Sequence, residues 1–116
     1  MENKLPEWFS YPAEHKRVLE LKIDNLDPWY YYSEQEVVSE YNSLKGRFPG
    51  LDLVPFAKKD GTDYVVCWEK SGGNEKVFMV ADYMSDGWSY KTEYSSYWDW
   101  FRLAVNDMIE QEQPYR

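Results

Sequence analysis

Hydrophobic positions along the chain change period several times, and the changes predict the order helix, helix, three-strand meander, helix. The clearest helical stripe lies between Glu93 and Glu110. There Tyr97, Phe101, Ala104, Val105 and Met108 recur at helical spacing, with Trp98 and Ile109 on one border. Ser96 followed three residues later by Asp99 has the spacing of a capping box, in which each side chain satisfies an unpaired backbone N–H. A second capping box, Ser33 with Glu36, precedes a stripe of Val37, Tyr41, Leu44 and Phe48, which Gly46, Pro49 and Gly50 bring to an end. A shorter helix starts with Pro12 in its first turn and runs to about Leu21, with Tyr11, Val18 and Leu19 sharing one side. Between these two helices, residues 26–32 read as an aromatic linker, because Pro28 opposes helix continuation.

The middle of the chain has a period of two. Strands are expected over residues 51–57, 63–69 and 76–83, joined by a turn at 58–62 and a hairpin loop at 71–74. In the second strand Tyr64, Val66 and Trp68 alternate with Val65 and Cys67, so both faces are apolar. The third repeats this, with Val77, Met79 and Ala81 opposite Phe78 and Val80. Such strands are central and covered twice. A short fourth strand around residues 88–92 would extend the sheet. The expected architecture is α+β, an antiparallel sheet of a three-strand meander plus a short fourth strand with flanking helices, in one domain over residues 1–116. The helices are expected to cover one face. The other is either a shallow aromatic docking surface or lies beneath the Tyr30–Tyr32 linker, and the pattern leaves both open.

Composition sharpens the expected partners. A chain of 116 residues with 19% aromatics can build a core without disulfides or metal. The net charge of −8 is spread over both halves, which opposes nucleic acid and anionic membranes and favours basic partners or plain solubility. Cys67 is the only cysteine, excluding an intramolecular disulfide and a multi-thiolate metal site. The first residues lack the basic and apolar succession of a signal peptide, and no run of about eighteen apolar residues exists. A cytoplasmic protein without a membrane span is expected.

Catalytic chemistry finds little support. His15, the single histidine, falls between Val18 and Leu19 around the first helix, the position of a half-buried structural imidazole. No serine occupies a Gly-x-Ser-x-Gly elbow, and Cys67 sits mid-strand, where a thiol is an inert small hydrophobe. Asp60 and Asp63 bracket a Gly-Thr turn, but without the alternate ligands and final glutamate of an EF-hand they are better suited to capping a hairpin. Gly72-Gly73 lacks the phosphate-loop pattern, and Lys58-Lys59 and His15-Lys16-Arg17 are isolated basic spots. Neither enzyme activity nor a cofactor or metal is expected. On the last helix, Trp100 and Leu103 lie off the core stripe and share a sector with Asp107 and Glu110, with Asp99 and Asn106 beside them. A tryptophan and a leucine framed by carboxylates suit an interface anchor for a basic partner. The alternative is that Trp100 packs inward on Trp8 or Trp29. The candidate partner-binding set is therefore Asp99, Trp100, Leu103, Asp107 and Glu110, with Asp60 and Asp63 from the turn.

Leu53-Val-Pro-Phe56, Asp60-Gly61, Asp63, Cys67-Trp68, Gly87-Trp88 and Ser95-Ser-Tyr-Trp-Asp-Trp-Phe101 together resemble the SUKH (Smi/Knr-type) superfamily. The shared pattern is a "PFA" strand, a hairpin ending in a "CW" strand and a closing "SF-x-x-WF"-like helix, over about residues 50 to 110. The resemblance implies an antiparallel sheet flanked by helices. It also implies an immunity protein of a bacterial polymorphic toxin system, an antitoxin that binds and neutralises a cognate toxin, often a nuclease. No catalytic residues carry over. Two other functions stay open: a small-ligand or carbohydrate binder using the Tyr30–Tyr32 and Trp88–Tyr90 aromatics as stacking platforms, and a regulatory interaction module of the same fold.

Overall fold

The computed structural model describes residues 4–72, 75–81 and 92–112. In chain order these form α1 (Ala13–Leu21), β1 (Asn25–Leu26), β2 (Trp29–Tyr31), α2 (Glu34–Arg47), β3 (Leu53–Lys59), β4 (Tyr64–Glu69), a 3-10 turn (Lys70–Gly72), β5 (Val77–Ala81), β6 (Thr92–Tyr94) and α3 (Tyr97–Glu112). The strands make one antiparallel sheet in the order β1-β2-β3-β4-β5-β6, so every neighbour in space is a neighbour in sequence. The architecture is α+β as expected, but with six strands among the described residues rather than four.

The two added strands come from the aromatic linker. Asp27–Pro28 is a cis peptide that turns the chain between β1 and β2, and Trp29 and Tyr30 then pair with Lys59 and Lys58. Neither linker nor cover, this run is part of the sheet. The same pairing explains why β3 runs on to Lys59 instead of stopping at Ala57. It begins at Leu53 rather than Leu51 because the Leu51 N–H donates to the Phe48 carbonyl (2.9 Å), completing the turn off α2. Pro55 lies inside this central strand, where its missing N–H would break a ladder; a register shift between Pro55 and Ala57 accommodates it. The expected strand at 88–92 falls outside the described residues except for Thr92, which begins β6. Gly73 and Asn74 of the expected hairpin loop, residues 82–83 of the expected third strand and the Trp88–Tyr90 aromatics also lie outside them.

Alternation along β4 separates two cores. Val66 and Trp68 join one cluster with Val18, Trp29, Phe56, Tyr97, Trp100 and Ala104, to which α1, α3 and, through Val37 and Tyr41, α2 contribute. Val65 and Cys67 join the other, with Leu44 and Phe48 of α2 and Val80. Both faces of the central strands are thus covered: Val66, Cys67 and Trp68 are each 0% exposed.

The α2 stripe is as expected, with Val37, Tyr41, Leu44 and Phe48 all buried and both halves of the Ser33–Glu36 capping box formed. Gly46 stays inside this helix, which ends at the Phe48 cap. The α1 and α3 stripes are rotated from expectation. In α1, His15 and Val18 face inward and Leu19 is 42% exposed. In α3, Tyr97, Trp100 and Ala104 are buried, while Phe101, Val105 and Met108 flank them half-buried.

Candidate binding cleft

A cleft of about 450 Å³ opens between α1, β2 and the first turn of α2. Three local devices set its walls. Lys22, at φ 59°, caps α1 in the left-handed region, and the N–H groups of Lys22 and Ile23 donate to Leu19 and Val18 carbonyls, turning the chain towards Asp24. The β1–β2 hairpin then presents Tyr31 to the cleft, with the Tyr32 N–H bonded to the Phe56 carbonyl (2.9 Å). Finally, the Ser33 Oγ accepts from the Glu36 N–H (3.2 Å) and the Glu36 carboxylate accepts from the Ser33 N–H (2.8 Å), so the start of α2 is held as one rim.

The cleft's apolar lining includes Tyr11, Leu19, Tyr31, Tyr32 and Val37, and its charged lining is Lys16 against Asp24, Glu34 and Glu36. His15 also lines it, although only 2% of the residue is exposed. The imidazole is stacked between Tyr11 and Tyr31, with centroids 5.4 Å away on each side and planes within 18°. Behind it, Nδ1 lies 3.1 Å from the Tyr97 hydroxyl, which in turn is 2.5 Å from the Tyr31 hydroxyl. His15, Tyr97 and Tyr31 thus form a hydrogen-bonded chain whose two ends, His15 and Tyr31, both line the cleft.

Burial pushes the His15 imidazole down to about 4, so it is neutral near pH 7. Burial also raises both phenols: Tyr97 is raised further by the neighbouring Tyr31, and Tyr31 is raised despite a counteracting hydrogen bond from Tyr97. Tyr11 is raised by burial and then by Glu34. Three neutral groups make a chain that runs in one of two directions. Either Tyr31 donates to Tyr97 and Tyr97 to Nδ1, leaving an N–H at Nε2, or Nδ1–H donates to Tyr97 and Tyr97 to Tyr31, leaving Nε2 as an acceptor. An imidazole with so low a pKa is a weak base near neutrality.

The acidic and aromatic sector expected on α3 does not assemble as a surface anchor. Trp100 is 0% exposed and packs edge-to-face on Trp29 (5.3 Å, 86°) and Phe56 (5.2 Å, 87°), the inward alternative. The helix is turned towards Trp100 because the sheet beneath it offers Trp29 and Phe56 as partners. Leu103 is half-buried against the same cluster. Asp107 accepts from Trp29 Nε1 (2.9 Å) and pairs with Lys59 (3.7 Å), tying α3 to β2 and β3. Asp99 completes the helix start, its N–H donating to Ser96 Oγ while its carboxylate receives Ser95 Oγ and Arg102. Glu110 lies exposed near the end of α3. Asp60 and Asp63 are also exposed, in a turn with Gly61 at φ +79°. Thr62 closes that turn, its Oγ1 bridging the Lys59 carbonyl and the Tyr64 N–H; no aspartate side chain caps it among the described residues.

The cleft was only half visible in sequence. The run Tyr30-Tyr31-Tyr32 marks an aromatic platform, but alternation in β2 sends Tyr30 outward, 42% exposed, and Tyr31 inward to the cleft. Asp24 and Glu34 carry no motif and Glu36 is legible only as half of a capping box, so only the fold places the three around one opening. Among the described residues, no group of histidine, cysteine and carboxylate side chains is arranged to hold a metal ion, and no helix is long and apolar enough to cross a membrane. Comparison with family models, curated proteins and solved structures gives no match.

Proposed function

We propose that this chain is a non-enzymatic, SUKH-like immunity protein that acts in the cytoplasm and neutralises a basic protein toxin, such as a nuclease, by binding it. The observation that carries the reading is the cleft: three carboxylates and one lysine around aromatic walls, in a protein of net charge −8. A nuclease cleft is basic, so charge complementarity favours encounter, and desolvated aromatic side chains supply affinity. The antiparallel sheet flanked by helices is also what the SUKH resemblance implies.

Co-expression with the toxin domain encoded beside the gene tests this. Growth is expected to be restored by the wild-type chain and lost with Asp24→Asn combined with Glu34→Gln, which leaves the core untouched. No rescue by the wild-type chain, or equal rescue by an unrelated acidic protein, defeats the proposal. A second reading, a small-ligand or carbohydrate binder, draws on the stacked Tyr11, His15 and Tyr31 rings in the same cleft. A rise in melting temperature with a glycan or metabolite at modest concentration would favour it. Recovery of a non-toxin protein in a pull-down would favour a regulatory module instead.

A further inference from the structure

The cleft has more specific chemistry than its charge alone. Its volume of about 450 Å³ suits one long side chain with its water, and is too small for a folded segment. Asp24 and Glu34 line the same cleft as the three rings. Glu34 acts on the Tyr11 hydroxyl and Asp24 on the Tyr31 hydroxyl, while His15 lies between the two rings. One ring nitrogen beside the cleft has no protein partner among the described residues. His15 is almost wholly buried and its Nδ1 is held by Tyr97, but Nε2 has no partner among the described residues, and the ring lines the cleft.

We infer that the cleft receives a single arginine side chain of a protein partner, its guanidinium lying over the Tyr11–His15–Tyr31 stack between Asp24 and Glu34 and donating to Nε2 of His15. The identity of that partner as a toxin rests on the function proposed above; the arginine site itself does not. Arginine fits better than lysine. Its planar fork reaches two separated carboxylates at once, and it sheds water more readily than an ammonium. The floor adds a condition. Guanidinium has donors only, so Nε2 must accept. Of the two possible hydrogen-bond directions, binding then selects the one in which Nδ1–H donates to Tyr97 and Tyr97 donates to Tyr31. A neutral imidazole is essential, because a protonated one has no acceptor and repels the cation.

The test is a titration of the isotope-labelled full chain with N-acetyl-arginine methylamide, followed by backbone amide spectra and by the ring nitrogens of His15. Saturable shifts are expected at Tyr11, Tyr31, Glu34 and Val37, with His15 Nε2 unprotonated in the complex. The citrulline counterpart, isosteric but uncharged, should bind at least about tenfold more weakly, because it forfeits charge-assisted hydrogen bonds. The lysine counterpart should also be weaker, and Asp24→Asn and Glu34→Gln should each reduce arginine binding while the remaining spectrum stays native. Equal binding of citrulline, tighter binding of lysine, a protonated Nε2 in the complex, or no saturable shift up to about 100 mM probe overturns the inference. The probe needs no toxin. Growth rescue without probe binding sinks the arginine site alone, and probe binding without rescue sinks the immunity function alone.

Discussion

His15 combines a structural duty with a pH liability. Its ordinary pKa of 6.5 applies in the unfolded chain, whereas burial lowers it to about 4 in the fold. Above pH 6.5 both states hold the ring neutral, and the group imposes no penalty. Below it, the unfolded chain takes up a proton that the folded chain refuses, so stability declines as pH falls from 6.5 and levels off below about 4. The difference corresponds to about 3 kcal/mol at the acid end. Unfolding free energies from urea titrations across this range are expected to show that slope in the wild type. In His15→Phe, which keeps a ring in the stack but cannot titrate, the slope should be shallower and the total loss across the range smaller by about that amount. Carboxylates contribute to both chains equally, so identical slopes would remove His15 as the cause. The helical wheel places the imidazole near the core. It cannot reveal the Tyr97 and Tyr31 hydroxyls, which come from residues far away in sequence and meet the ring only after folding.

Element by element, legibility follows how local the determining interaction is. The α2 helix was readable because Ser33 and Glu36 act within one turn and its apolar stripe is regular. The β1–β2 hairpin was not, since strands of two and three residues are too short to display a period. The last helix is an intermediate case. Its apolar positions span a wide arc, so the sequence alone does not say which part faces the sheet, and Trp29 and Phe56 decide it by receiving Trp100. A pair of substitutions measures that rotation. Trp100→Ala is expected to cost about 3–5 kcal/mol, the range for deleting a buried aromatic. Trp98→Ala, on a side chain 36% exposed that touches only Tyr97 and Phe101 among the described aromatic rings, should cost about 1 kcal/mol or less. Urea unfolding midpoints distinguish the two. A reversed order would mean that α3 presents Trp100 outward.

At the scale of the whole molecule, charge matters through its imbalance rather than through its pairs. Twenty-one acidic residues face thirteen basic ones. Several of the cations are already matched locally: Arg17 with Glu20, Lys45 with Asp52, Lys59 with Asp107, Lys76 with Glu93 and Arg102 with Asp99. Partly exposed pairs of this kind add little stability. They do neutralise the positive side chains at short range, so the field reaching a distant partner is that of the excess carboxylates. Such a field acts before contact, on the rate of encounter, and is screened over a Debye length that falls from ~30 Å at about 0.01 M salt to ~3 Å at about 1 M. Under the proposed function, association with a basic toxin is therefore expected to slow by at least about tenfold across that range, while dissociation, which the proposal assigns to aromatic contacts and the cleft, changes far less. Stopped-flow mixing at several salt concentrations separates the two rates. If association is insensitive to salt and dissociation carries the whole effect, the acidity of this chain serves solubility, and the partner is recognised by shape and apolar contact alone.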